Sequence, residues 1–190
     1  ILIESNQADL AAERLKEFIR SYPSDPILDL AQLTLGELYL KIYYRLKDEQ
    51  AGAAQGEIKI AMGLMLDPAR DAFQKALDQY PNSPLVGKAC LNLGWVYWEK
   101  GPDFLSKSLE MFSRATGALA ISKDQAIAQL KLADCYFQTG QYIRAIERYQ
   151  QLLRDYEFSP SIREEIFPNA LYQIILASIS LGDFDQAQIT

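Results

Sequence analysis

The sequence predicts an all-α fold in which antiparallel helix pairs stack side by side. Apolar residues recur at three- and four-residue spacing through most of the 190 residues, which is the spacing of amphipathic helices. Glycines interrupt that pattern at near-regular intervals, and three helical segments end in the related hexads SYPSDP, QYPNSP and DYEFSP. One short helix pair cannot bury its whole apolar face, so repeated pairs must stack on one another.

The first half of the chain predicts four helices. ADLAAERLKEFIRSY (8–22) is amphipathic, and residues 27–46 follow an aspartate–proline pair that can cap a second helix. Asp67-Pro68 repeats that device and predicts the start of a third helix. Residues 84–100 predict the fourth helix.

The second half predicts the same alternation of helix and turn. Gly101, Gly140 and Gly182 each follow a helical pattern and precede a return helix, the last of which is cut off at the chain end. Ser122-Lys123-Asp124-Gln125 and Ser161-Ile162-Arg163-Glu164 have the spacing of capping boxes, which predicts that further helices begin there.

The helical pattern lapses over residues 44–66. AGAAQG (51–56) is small and flexible, whereas EIKIAMGLML (57–66) carries more apolar surface than a free loop should expose. We interpret 44–66 as an insertion within one helix pair. It either docks a partner or a second copy of the chain, or forms an extra short helix that folds back on its own solenoid.

Composition excludes several classes of function. The net charge of −6 and the mixing of Lys and Arg with Asp and Glu argue against nucleic-acid binding. The absence of histidine removes the commonest general base and metal ligand, and no glycine-rich phosphate loop occurs, so no catalytic residue, metal or cofactor is predicted. Cys90 and Cys135 lie in apolar helical patterns and are predicted to be buried thiols.

The ends of the sequence indicate a piece of a longer protein. It begins at Ile1 without methionine and stops at Thr190 inside an apparent helix. No run of about 18 apolar residues occurs, so no membrane span is predicted.

A leucine, a small residue and a tyrosine recur at fixed offsets in the first helix of three pairs: Leu35-Gly36 with Tyr39, Leu93-Gly94 with Tyr97, and Leu132-Ala133 with Tyr136. This pattern resembles the tetratricopeptide repeat (TPR). The resemblance implies an all-α, right-handed α-solenoid of about four antiparallel helix pairs, truncated at both ends. We expect one such domain over 1–190, with the insertion at about 44–66.

The Tyr-Pro-x-Ser-Pro helix ends and the insertion also resemble a subclass of bacterial envelope repeat proteins. Examples are the outer-membrane assembly lipoprotein of the Bam complex and the periplasmic Tol–Pal accessory protein. This resemblance favours the bacterial periplasm or envelope over the cytoplasm.

The TPR resemblance implies that first-helix side chains line a concave groove for another protein. The Lys and Asn pattern with which some repeats clamp a C-terminal carboxylate is absent, which favours an apolar or mixed-charge ligand. The candidate groove residues are Glu37, Lys41, Lys88, Asn92, Trp95, Trp98, Glu99, Lys131, Asp134, Phe137 and Tyr172.

Trp95 and Trp98 flank the packing residue Tyr97, so both cannot share its buried stripe. With Phe137 of the next repeat they would form an aromatic anchor site. The other interpretation is that one or both pack on the 44–66 insertion or on another domain.

The sequence thus predicts a non-enzymatic scaffold that binds a protein or peptide in its groove. The alternative is a structural component of a larger, possibly bacterial envelope, assembly. There the repeats and the insertion would mediate contacts between domains or copies.

Overall fold

The computed structural model describes residues 2–50 and 55–189, and the side chains of residues 7–48 and 62–188. Within these ranges the secondary structure consists of nine α-helices and one short 3₁₀ turn at Pro102–Phe104, with no strand. The helices are α1 (Leu2–Ser21), α2 (Leu28–Gln50), α3 (Gln55–Gln79), α4 (Val86–Glu99), α5 (Leu105–Ala118), α6 (Lys123–Gln138), α7 (Tyr142–Asp155), α8 (Pro160–Leu181) and α9 (Phe184–Ile189).

The chain divides into two compact units, Ile1–Lys100 and Gly101–Thr190, called here the N-terminal and C-terminal units. In the N-terminal unit α1 packs on α2, α2 on α3 and α3 on α4. In the C-terminal unit each helix from α5 to α9 packs on the next. The all-α fold of sequentially packed helix pairs is confirmed. Within the described ranges, no helix is long and apolar enough to cross a membrane.

The described residues of the predicted insertion belong to the helices on either side of it. α2 extends to Gln50, and residues 57–66 form the first part of α3; residues 51–54 lie outside the described part. The interpretation as a separate short helix is therefore wrong, as is the predicted helix start at Asp67-Pro68. Pro68 lies inside α3, because buried Met62 and Leu66 continue the apolar stripe of the residues that follow.

The two predicted capping boxes have different outcomes. The Ser122 hydroxyl accepts a hydrogen bond from the Gln125 backbone N–H (3.2 Å) and caps α6 as predicted. The Gln125 side chain does not return to Ser122 but donates to the carbonyls of Thr116 and Leu119 (3.0 and 2.8 Å). The box predicted at Ser161 is wrong, because α8 already begins at Pro160, where a missing N–H is harmless.

Close packing of α2 on α3 depends on the glycine of the repeat pattern. A Cβ atom at Gly36 would lie 2.5 Å from the ring of Phe73, which is fully buried. The turn glycines Gly140 and Gly182 have φ of 72° and 75°, the left-handed conformation predicted for residues just after a helix.

Both cysteines are fully buried, which confirms the prediction of buried thiols. Burial raises the pKa of the Cys135 thiol to about 11. A thiol with that pKa is almost entirely protonated at neutral pH and is a poor nucleophile.

Candidate functional site

The first helices of the first two repeats, α2 and α4, are joined by a hydrogen bond between two predicted groove residues. Asn92 Nδ2 on α4 donates to Glu37 Oε1 on α2 over 3.0 Å. This bond places the predicted faces of the two helices side by side in the N-terminal unit. It also means that these two polar groups already satisfy each other.

Glu99 forms a second link between α4 and α2. Its Oε2 accepts hydrogen bonds from Tyr43 Oη (2.7 Å) and Lys47 Nζ (2.6 Å). The Glu99 side chain is only 10% exposed, and burial together with this carboxylate raises the pKa of Tyr43. Glu99 therefore links the last turn of α4 to the C-terminal half of α2.

The paired tryptophans lie on α4 beside these links. Trp95 occupies the same helical stripe as Asn92 and Glu99, at three- and four-residue spacing. Trp95, Trp98 and Lys88 are all half-buried. Part of each tryptophan side chain is therefore exposed to solvent, and the rest contacts the protein.

Lys41 is exposed and borders a cleft between α1 and α2 with a volume of about 460 Å³. Ala8, Ala11, Leu38 and Ile42 supply its apolar wall. The sequence interpretation did not include Ala8 and Ala11 of α1 in the groove, because it considered only the first helix of each pair. The alanine spacing of α1 was the available signal, since small side chains leave room between two helices.

Two candidate residues of the C-terminal unit, Lys131 and Asp134, bond within their own helix pair. Lys131 Nζ and Asp134 Oδ2 form a largely buried salt bridge of 2.7 Å. Asp134 Oδ1 also accepts a hydrogen bond from Tyr149 Oη of α7 (2.6 Å). Burial and the Asp134 carboxylate raise the pKa of Tyr149 well above its usual range. Asp134 thus stabilises the α6–α7 pair.

Phe137 and Tyr172 differ in exposure. Phe137 is half-buried, packs against the core of the C-terminal unit and meets Tyr142 edge-on, with ring centroids 5.3 Å apart. Tyr172 on α8 is 59% exposed. Trp95 and Trp98 belong to the N-terminal unit, so the aromatic anchor expected to combine them with Phe137 stays a prediction.

The described surfaces offer apolar and hydrogen-bonding contacts. Among the described residues no group of three His, Cys, Asp or Glu side chains is placed to hold a metal ion. The assignment of the candidate residues to a binding groove stays a prediction.

Sequential helix pairs, a tight contact at a small residue and left-handed glycines after the helices define a helical-repeat protein. The family model of the tetratricopeptide repeat matches residues 30–83 and 127–159, which cover most of the α2–α3 and α6–α7 pairs. The chain therefore contains tetratricopeptide repeats in these two segments. A comparison with curated proteins finds no match. Members of this family generally mediate protein–protein interactions and are typically non-enzymatic scaffolds.

Proposed function

We propose that the chain is a non-enzymatic scaffold that binds an extended or helical segment of a partner protein. The binding surfaces are the exposed faces of the first helices: α2 and α4 in the N-terminal unit, and α6 and α8 in the C-terminal unit. The family's general role supports a protein partner.

The observation that carries the proposal is the Asn92–Glu37 hydrogen bond, which aligns α2 and α4. Trp95 follows Asn92 by one helical turn and is half-buried, and Lys41 follows Glu37 by one turn on α2 and is exposed. A partially exposed indole and a cationic side chain on two aligned helices suit an apolar or mixed-charge segment.

The contacts also divide the candidate residues by role. Glu37, Asn92 and Glu99 are engaged within the chain, so replacing them would alter the scaffold as well as any ligand contact. Recognition in the N-terminal unit then depends mainly on Lys41, Trp95 and the apolar cleft beside α1.

The test is affinity capture with the chain as bait, identification of the retained protein, and measurement of its binding to variants by calorimetry. Trp95→Ala should weaken binding by about tenfold or more, because a tryptophan in an interface often contributes over 1.4 kcal/mol. The partner should also shield the indoles from acrylamide quenching of their fluorescence.

Phe158→Ala is the matched control, because Phe158 is 90% exposed in the turn between α7 and α8 and lies outside the first-helix faces. Full binding by Trp95→Ala together with loss of binding by Phe158→Ala would contradict the proposal. Circular dichroism should show the same helicity for both variants.

The alternative, a structural role in a larger assembly, is favoured by one observation. Leu64 is 63% exposed on the part of α3 that was interpreted as an insertion, a position suited to a contact with another domain or copy. Concentration-dependent self-association in sedimentation experiments, with no effect of Trp95→Ala, would favour this role. The bacterial envelope location belongs to the same alternative.

A further inference from the structure

The cleft between α1 and α2 combines an apolar wall with positive charge. Lys41 and Arg45 line it one helical turn apart on α2, and among its described lining residues none is acidic. Lys41 is exposed, and its ammonium group forms no hydrogen bond or ion pair with the described part of the chain. The volume of about 460 Å³ lies within the range that is usual for ligand pockets. The cleft therefore suits a large apolar side chain with an acidic neighbour.

The turn between α8 and α9 carries a segment of that kind. Phe184, the first residue of α9, is 67% exposed and lies between Asp183 and Asp185 in the sequence. Asp183 Oδ1 accepts a hydrogen bond from the Gln186 backbone N–H over 3.0 Å, which fixes the turn that presents the ring. The Asp185 carboxylate forms no hydrogen bond or ion pair among the described residues. An exposed ring between two carboxylates is complementary to an apolar cleft lined by cations.

Other exposed apolar side chains lack this combination. Phe158 is 90% exposed, but it has a glutamate on one side and a serine on the other. Leu64 is 63% exposed and lies between a glycine and a methionine. Of the large apolar side chains that are exposed in the described part of the chain, Phe184 alone has an acidic residue on both sides.

We propose that the cleft between α1 and α2 of one copy of the chain binds the segment 183–185 of a second copy. Phe184 inserts between the two helices, and Asp185 pairs with Lys41. Burial of the aromatic ring supplies most of the affinity. The ion pair at the exposed rim adds specificity more than affinity. This contact does not depend on a partner protein at the first-helix faces.

The two surfaces of the proposed contact are different, so the contact is heterologous. After one contact forms, the pair of copies still has one unoccupied cleft and one unoccupied Phe184 segment. Association therefore continues beyond a dimer unless the copies close into a ring. A contact made by one aromatic side chain and one ion pair is small, so we expect weak association that rises with protein concentration.

Sedimentation velocity from micromolar to millimolar concentration tests the proposal. The original chain should associate increasingly over this range. Phe184→Ala removes the ring, and Ala11→Leu places a larger side chain in the cleft. Each variant should weaken self-association by about tenfold or more, since burying an aromatic side chain contributes more than about 1.4 kcal/mol.

A mixture of the two variants gives a sharper result. Phe184→Ala keeps an intact cleft and Ala11→Leu keeps an intact segment, so one contact can form between them. At a concentration where each variant alone is monomeric, the equimolar mixture should form dimers and nothing larger. A mixture that stays monomeric would overturn the proposal.

Charge reversal tests the predicted ion pair. Lys41→Glu and Asp185→Lys should each weaken self-association by about fivefold, because each replaces an attraction at an exposed rim by a repulsion. The double variant should regain the original association, because every contact again pairs a glutamate with a lysine. Lys75→Glu is the matched control, since Lys75 is exposed on α3 and does not line this cleft. A double variant as weak as the single variants would show that the pair does not form.

Three further controls should associate as the original chain does. Phe158→Ala removes another exposed ring, Ala118→Leu makes the same enlargement at an exposed position of α5, and Trp95→Ala alters the proposed partner-binding face. Circular dichroism and thermal unfolding check that all variants fold.

A chain that stays monomeric at millimolar concentration, or full association of Phe184→Ala, would overturn the proposal. Association that is lost in Leu64→Ala and kept in Phe184→Ala would place the contact on α3 instead. Partner binding measured on the monomeric Phe184→Ala variant tests the proposed function separately, so either idea can fail without the other.

Discussion

The α2–α3 and α6–α7 pairs follow the same repeat pattern but close their helix contacts in different ways. In α2–α3 a glycine, Gly36, gives the ring of Phe73 room against the backbone of α2. In α6–α7 the corresponding residues are Ala133 and Tyr149, and both are fully buried. The α2–α3 contact depends on the absence of a methyl group at Gly36. The α6–α7 contact has a phenol hydroxyl, that of Tyr149, in addition to the ring.

This difference goes with a difference in the hydrogen-bond partner of the next residue of the first helix, which is acidic in both pairs. Tyr149 donates its hydroxyl to Asp134 and holds that carboxylate within its own pair. Phe73 has no hydroxyl, and Glu37, at the position of Asp134, accepts a hydrogen bond from Asn92 of α4 instead. The pair with the phenol hydroxyl on its return helix thus keeps its acidic residue within the pair, whereas the pair without it has an acidic residue that joins neighbouring repeats.

The largest expected effect follows from replacing the glycine. Gly36→Ala should lower the free energy of unfolding by about 2 kcal/mol, because the new methyl group would overlap the fully buried ring of Phe73, which would have to shift. Urea unfolding followed by circular dichroism measures the change.

Gly63→Ala is the matched control, because Gly63 is exposed in α3 and a Cβ atom there would meet nothing within 4 Å. It should raise the stability by about 0.5–1 kcal/mol through helix propensity. If Gly36→Ala were equally stabilising, the glycine would not be needed for packing, and the contrast between the two pairs would be wrong.

A smaller effect is expected from removing the phenol hydroxyl. Tyr149→Phe should cost about 1–2 kcal/mol, because Asp134 would keep Lys131 but lose a buried hydrogen-bond donor. Differential scanning calorimetry measures the loss. Tyr172→Phe, at an exposed position on α8, should leave the melting temperature unchanged; equal melting temperatures for the two variants would show that the hydroxyl does not stabilise the pair.

The smallest effect concerns Asp67 on α3 and the dependence of the stability on pH. The hydrogen bond from Lys100 and the positive charges of Lys100 and Arg70 hold the pKa of Asp67 below its usual value. The folded pKa is depressed, so the stabilisation is present above the unfolded pKa and is lost as the pH falls below about 4. Asp67 is more than half exposed, so the contribution to stability is small.

NMR titration of the Asp67 carboxyl carbon tests this directly. Lys100→Gln should raise the midpoint towards that of an unpaired aspartate, whereas Lys107→Gln, in the C-terminal unit, should leave it unchanged. An identical Asp67 midpoint in the original chain and in Lys100→Gln would show that the ion pair does not form in solution.

The sequence predicted the helices well where the pattern is local. The stripe Leu132, Ala133 and Tyr136 placed α6, and Gly140 marked its end, because helix periodicity and a left-handed glycine depend only on neighbouring residues. The helix start predicted at Asp67-Pro68 was wrong because that signal, too, depends only on neighbouring residues. The local pair favours a helix start, but tertiary burial of Met62 and Leu66 continues the helix through the proline.

The sequence by itself determined the all-α repeat fold, the buried cysteines and the small residues at the close contacts, because each follows from spacing along one helix. Only the tertiary structure decided that Glu37 bonds Asn92 while Asp134 bonds Tyr149. These differences depend on which side chains of separate helices come within about 3 Å of one another. A one-dimensional pattern specifies the face of a helix but not the partner atom opposite it.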